Sequence, residues 1–350
     1  MIEKKYFGQT MKNEDIYVYT INEKNIIVEI STYGAAIMSL KVKDKYNAFR
    51  DIVLGYDCVS GYEQQDDYLG CVVGRCCNRI SDATFILHNK KYILSKNEEN
   101  NHLHGGVQGF NKKIWQATIL DSKSLKLTYI SEDNEEGYPG KLTVSVVYKL
   151  MKNRLYISYY AKSTKDTICN LTNHTYFNLE GYKNNTILNH YMKIYANKFT
   201  EDNDRFLPTG KILSVESTPI DFRKGEKIGT NINKDYYQIA NAQGYNVNYI
   251  LKNYKNNNII HYATVYAEKS GIMMKAYTDM PCVQFYTGNF LTDKILGKDA
   301  TPIVKYNGFC LEPQFAPNAI NMSNVIKPIL KKRKLFYSCS FYEFITSNEG

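Results

Sequence analysis

No stretch of this sequence approaches the ~18 consecutive apolar residues that a membrane-spanning helix needs, and its start, Met1-Ile2-Glu3-Lys4-Lys5-Tyr6, lacks the apolar run of a secretory signal. These absences point to a cytoplasmic protein with no membrane partner. In that compartment thiols stay reduced, so the eight cysteines are expected as free thiols rather than as a disulfide framework. Cys71, Cys76 and Cys77 lie close together but lack the CxxC pairs of a zinc motif, and no metal is expected there. No Pro/Gly/Ser-rich linker, abrupt change of composition or fixed-period repeat divides the chain, so residues 1–350 are expected to form a single domain. Convincing helical stripes are missing as well, which leaves a mostly β architecture.

Charge of one sign is in excess, but it is not gathered. The formal charge is +9, yet the 44 basic residues are spread along the chain, and this argues against a nucleic-acid partner. The exception, Lys331-Lys332-Arg333-Lys334, fits a nuclear-import or phosphate-binding patch less well than a solvated turn before a last strand, Leu335 to Phe344. Lys, Asn, Tyr and Ile are heavily used throughout, so the 31 tyrosines do not by themselves mark a binding surface.

What is present is period-two alternation. Ile16 to Ile21 and Ile26 to Ile30 flank an Asn22-Glu23-Lys24-Asn25 turn, and Leu142 to Leu150 and Leu155 to Ala161 flank Lys152-Asn153-Arg154. Both read as antiparallel hairpins. Similar β-branched and aromatic runs occur at Leu125 to Ile130, Ile260 to Ala267, Ile272 to Thr278 and Val283 to Tyr286. The expected fold class is all-β, a large antiparallel β-sandwich built from two large packed sheets.

With only six histidines in the chain, two blocks dense in His, Asn and Gly stand out. The first is Asn101-His102-Leu103-His104-Gly105-Gly106, where the glycines let the backbone take positive φ and present an imidazole. His102 and His104 form an H-x-H pair, but no third ligand is evident, so a metal is not expected. The second block is Asn170-Leu171-Thr172-Asn173-His174-Thr175-Tyr176-Phe177-Asn178-Leu179, whose Asn173, Thr175, Tyr176 and Asn178 suit holding the His174 ring and binding sugar hydroxyls. For either block alone, a histidine hydrogen-bonded within a turn is the plain alternative. A third block, Gly308-Phe309-Cys310-Leu311-Glu312-Pro313, sets a lone carboxylate in apolar surroundings, where desolvation tunes its basicity. Val73-Gly74-Arg75-Cys76-Cys77-Asn78-Arg79-Ile80 offers a guanidinium fork, and Gln284-Phe285-Tyr286-Thr287-Gly288-Asn289-Phe290 an amide and aromatic faces. A surface ion pair and a strand end are their structural alternatives.

Taken in this order, these segments resemble the aldose 1-epimerase family from about Gly8 to Phe344, together with Glu-Glu-Gly-Tyr-Pro-Gly at 135 to 140. The resemblance implies a galactose mutarotase-like β-supersandwich that interconverts the α and β anomers of free aldohexoses such as glucose and galactose. It implies Glu312 as the base at the anomeric O1, His174 as the acid at the ring oxygen and His104 as a supporting group there. Asn78, Arg79 and Gln284 would bind sugar hydroxyls. No cofactor is implied, and a monomer or weak homodimer is expected.

Two places depart from the family pattern. Where the family carries a substrate-binding Asp in Gly-[FY]-Asp-x-[NT], this chain reads Gly244-Tyr245-Asn246-Val247-Asn248. Asn246 still donates to and accepts from a hydroxyl, but losing a charge-assisted hydrogen bond costs about 1 to 3 kcal/mol. After Glu312 the usual Asn-Trp-Pro-Asp is replaced by Phe315-Ala316-Pro317-Asn318. Two alternatives remain at this point: epimerisation of hexose 6-phosphates, which needs a cluster of arginines, and a non-catalytic sugar-binding or regulatory module.

Overall fold

Alternation of buried and exposed side chains decides most of the structure, a computed structural model that describes residues 1–183, 186–256 and 258–346. Residues 184, 185, 257 and 347–350, which the expected single domain also takes in, lie outside the described residues. Strand Leu142–Met151 shows the pattern plainly. Leu142, Val144, Val146, Tyr148 and Leu150 are buried while the intervening residues reach solvent in whole or part. Its hairpin partner Arg154–Ser163 runs antiparallel in unbroken register, and the hairpin Asp15–Glu23 with Ile26–Ser31 forms in the same way. The other runs fall within Ser124–Ser131, Ile260–Ala267, Ile272–Thr278 and Cys282–Tyr286, and the last strand spans Leu335–Thr346.

The chain is nearly all β, with two short α-helices, Val59–Gln64 and Tyr237–Ala240. Three large antiparallel sheets appear where two were expected. A nine-stranded sheet contains the hairpin Leu142–Met151 with Arg154–Ser163, the paired strands Ile260–Ala267 and Ile272–Thr278, and the last strand. A five-stranded sheet holds the first five strands, and a second five-stranded sheet runs in the order Pro208–Ser214, Ala196–Asp202, Asn246–Leu251, Cys282–Tyr286 and Cys310–Gln314. One apolar core joins all three, since Val28, Val146 and Phe285 belong to the same cluster. Each fully buried side chain of this size contributes about 1.5–3 kcal/mol.

In the last-named sheet, Val247, Tyr249, Val283, Phe285 and Leu311 point into that core. The opposite face therefore carries Asn246, Asn248, Gln284, Tyr286, Cys310 and Glu312, with Asn248 opposite Gln284 and Gln284 opposite Glu312 in register. A row of polar groups is thus fixed on rigid backbone. The Lys331–Lys334 run lies exposed between Ile329–Leu330 and the last strand, with the Lys332 amide donating to Asp166 Oδ1 at 2.7 Å.

Candidate active site

The polar face of the second five-stranded sheet forms one wall of a cavity of about 170 Å³. Loops bring the rest. Among the residues around it are all seven expected site residues, Asn78, Arg79, His104, His174, Asn246, Gln284 and Glu312, gathered from positions more than 230 apart in sequence. Three larger cavities, of about 380, 430 and 660 Å³, contain no histidine among the described residues of their walls.

In this cavity His174 Nε2 stands 3.6 Å from Glu312 Oε1, with both side chains almost wholly buried. Burial disfavours charge on each. It pushes the Glu312 carboxyl up to about 8, against the opposing pull of the Arg79 charge, and pushes His174 down to about 4. Glu312 Oε2 is buried and has no hydrogen-bond partner. His174 Nδ1 meets Cys310 Sγ at 3.5 Å, and its ring is boxed by Tyr68, Tyr176 and Tyr286 with centroids 5.8, 5.0 and 6.3 Å away. The pair as it stands holds one proton on two sites, the arrangement that a paired donor and acceptor requires.

His104 sits beside the pair, its ring centroid 5.3 Å from that of His174. The Asn78 amide donates to His104 Nδ1 at 3.2 Å, so the ring proton belongs on Nε2, which is left as a donor. Burial first, then the His174 and Arg79 charges, holds His104 well below its ordinary range, and it stays neutral. Gly105 explains how this imidazole is presented. Its φ is +93°, and a Cβ there would lie 1.7 Å from the Gly74 carbonyl oxygen. His102 points elsewhere, engaging the Ser95 carbonyl at 2.7 Å and the Tyr138 hydroxyl at 2.6 Å, so the H-x-H pair does not converge.

Arg79 forks onto Glu98 through Nε at 2.7 Å and Nη2 at 2.6 Å, leaving Nη1 outside the fork. Along the sheet, Asn78 Nδ2 donates to Gln284 Oε1 at 3.3 Å, and Gln284 Nε2 donates to Asn246 Oδ1 at 2.8 Å. The polar neighbours of His174 are different from expectation. Asn173 donates to the Gly70 carbonyl, Thr175 to Asn173, and Asn178 to the Asn307 carbonyl, so these groups clamp backbone, and only Tyr176 reaches the cavity. Asn170 binds both backbone groups of Phe315 and so ties the departing segment after Glu312 to the histidine block.

Four cavity residues carried no mark in the sequence: Asp66, Asp67, Tyr68 and Glu98. The first three follow the short helix Val59–Gln64, in a polar string that reads as a solvated loop. Burial, with Asp66 adding, pushes the Asp67 carboxyl up to about 6. Tyr68 takes φ +58° and lays its ring 4.6 Å from that of His104. Glu98 lies in an acidic turn, and only the Arg79 fork reveals its use.

His104, His174 and Glu312 are also the described residues that could hold a metal ion, their ligand atoms lying within 4.8 Å of one another. Tetrahedral zinc with ~2.1 Å bonds needs donors only about 3.4 Å apart, so these groups would have to draw inward to share one.

The sequence model of a family described as aldose 1-epimerase matches residues 17–336. Galactose mutarotase of Bos taurus is 38% identical over 326 residues, 93% of each chain, and that of Homo sapiens is 38% identical over 317 residues, 91% of this chain and 90% of the other. Among solved structures, the GalM/aldose epimerase homologue from C. elegans superposes with a TM-score of 0.86 at 27% identity, covering 94% of this chain and 99% of that one.

Proposed function

The chain belongs to the aldose 1-epimerase family and carries that mutarotase activity; on that premise we propose how its own residues exchange the α and β anomers of free hexoses such as glucose and galactose. The observation that supports the reading most is the His174–Glu312 contact at 3.6 Å inside a cavity walled by amides and one guanidinium.

Burial rests the proton of the pair on Glu312, so ring opening starts from the arrangement in which that proton has passed to His174 Nε2, 3.6 Å away. Glu312 takes the O1 proton while His174 protonates the ring oxygen; the C1–O5 bond breaks with its electrons going to O5, and C1–O1 becomes a carbonyl. The proton balance is closed, because the pair starts and ends with one. Rotation about C1–C2 turns the other aldehyde face toward O5, and the two groups exchange roles as the ring closes. Each positioned transfer contributes roughly 10²–10⁴ in rate. His104 Nε2–H supports the ring oxygen as charge develops, and Asn78, Arg79, Asn246 and Gln284 hold the hydroxyls. None of these steps calls for a metal or cofactor.

A phosphorylated sugar fits this cavity poorly. Its walls bring one arginine, already forked onto Glu98, and the carboxylates of Asp66 and Glu98, which repel a phosphate dianion. We further assign residues 1–350 to one domain, working in the cytoplasm as a monomer or weak homodimer with no nucleic-acid or membrane partner. Among the described residues no helix is long and apolar enough to cross a membrane.

The test is polarimetry of freshly dissolved α-D-glucose and α-D-galactose, with wild-type protein and Glu312→Gln, at a pH that slows the spontaneous reaction. Acceleration by wild type that disappears in the variant supports the assignment. A Glu312→Gln protein as active as wild type removes Glu312 from the mechanism.

A further inference from the structure

Asp202 is a carboxylate that the mechanism above leaves unused. It ends strand Ala196–Asp202, one strand outward from Asn246 in the sheet that forms the cavity wall. It is 6% exposed, and its Oδ1 is buried with no hydrogen-bond partner. An orphaned buried carboxylate oxygen is costly, and its presence calls for a function.

The register places it. Lys198 lies opposite Ile250 and Phe199 opposite Tyr249, and one step further Asn248 Nδ2 donates to Thr200 Oγ1 at 3.1 Å. Continued two residues further, that register brings Asp202 level with Asn246, while on its outer side the strand pairs Thr200 with Ile212 and Asp202 with Pro208 across a bulge. By strand alternation Asp202 then shares the face that carries Asn246, Gln284 and Glu312. Neighbouring strands lie about 4.8 Å apart, a gap that an aspartate and an asparagine side chain span between them. Gln238 fixes the backbone here, accepting from the Asp202 amide at 3.1 Å and donating to its carbonyl at 2.9 Å. The turn that follows carries Phe206 over the Arg79 guanidinium at 5.1 Å; burial pushes the Asp202 carboxyl up to about 7, against the opposing pull of the Arg79 charge.

The amide row has a direction. Asn78 donates to the oxygen of Gln284, and Gln284 donates to the oxygen of Asn246, so the end of the row is the Nδ2 donor of Asn246. The group facing that end from the next strand is the acceptor without a donor.

We propose that Asp202 is a positioning residue of the sugar site: its carboxylate receives Asn246 Nδ2 and, with Arg79, fixes the orientation in which the amide row meets the sugar hydroxyls. The inference rests on the mutarotase reading of the cavity. It places a carboxylate behind the hydroxyl-binding row even though position 246 is an amide.

The test compares wild type, Asp202→Asn and the double variant Asp202→Asn with Asn246→Asp, following mutarotation of α-D-galactose and thermal unfolding. Asp202→Asn keeps an acceptor oxygen but removes the charge that strengthens the bond, so KM rises roughly tenfold with kcat within about twofold. The double variant moves the acceptor one strand inward and recovers most of the loss. The unfolding temperature of Asp202→Asn stays close to that of wild type, because the variant keeps the shape and an acceptor oxygen at this position; a purely structural carboxylate would lower it. An unchanged KM in Asp202→Asn overturns the inference alone, as does a raised KM or lowered unfolding temperature that Asn246→Asp fails to restore. A wild-type protein without mutarotation overturns the reading of the cavity and this inference with it.

Discussion

Burial displaces the two members of the central pair in opposite directions, Glu312 up to about 8 and His174 down to about 4, and in both the neutral form gains. The pair therefore binds two protons below about pH 4, one between about 4 and 8, and none above. Only the singly protonated pair has both a donor and an acceptor. The kcat/KM for mutarotation is accordingly expected to be flat across that window and to fall about tenfold per pH unit on either side, with both limbs belonging to the pair; a stopped-flow polarimetric pH series measures it. Stability carries the same signature with a definite sign. The unfolded carboxyl, at its ordinary 4.5, releases its proton before the folded one does, so the contribution of Glu312 to stability falls as pH rises from about 4.5 to 8, while His174, held at about 4, adds stability up to its ordinary 6.5. Glu312→Gln has no such loss. Its free energy of unfolding should match wild type near pH 4 and exceed it increasingly up to pH 8, by an amount on the order of 4 kcal/mol at full extent, as chemical denaturation across that range measures.

At the scale of elements, the site is a strand face completed by loops. The strands were legible because a half-buried strand must alternate: Leu142 to Leu150 needs only its own sequence to declare which side chains are buried. The blocks holding His104, His174 and Glu312 were legible because glycine, histidine and an isolated carboxylate have few other uses in such settings. Asp67, Tyr68, Glu98 and Asp202 were not. Each lies in a polar string that solvated loops also show, and each acquires its neighbours only through pairings distant in sequence, as Glu98 does through Arg79. The division into three sheets was hidden for the same reason, since strand pairing is a long-range choice. Gly105 offers a direct test of how a loop serves the site. Gly105→Ala drives a Cβ into the Gly74 carbonyl at a φ of +93°, so the turn must move and take His104 with it. The variant should lose roughly 2–3 kcal/mol in chemical denaturation and at least about a hundredfold in mutarotation rate.

At the scale of the whole molecule, one apolar core fastens all three sheets, so the cavity wall is as rigid as the core behind it. Thiol accessibility reports on that packing. Of the eight free cysteines only Cys58 is exposed, so a thiol reagent should titrate one group in the native protein and eight after denaturation without reductant; a lower denatured count would mean that disulfides exist. The central claim is that the folded chain interconverts sugar anomers through the single proton shared by Glu312 and His174. Proton exchange spectroscopy of galactose at anomeric equilibrium tests it most directly, because it needs no freshly dissolved anomer and reads both directions of exchange at once. Cross-peaks between the α and β anomeric protons are expected with wild-type protein and none above buffer with Glu312→Gln. Cross-peaks of equal intensity with both proteins, or none with either, would contradict it.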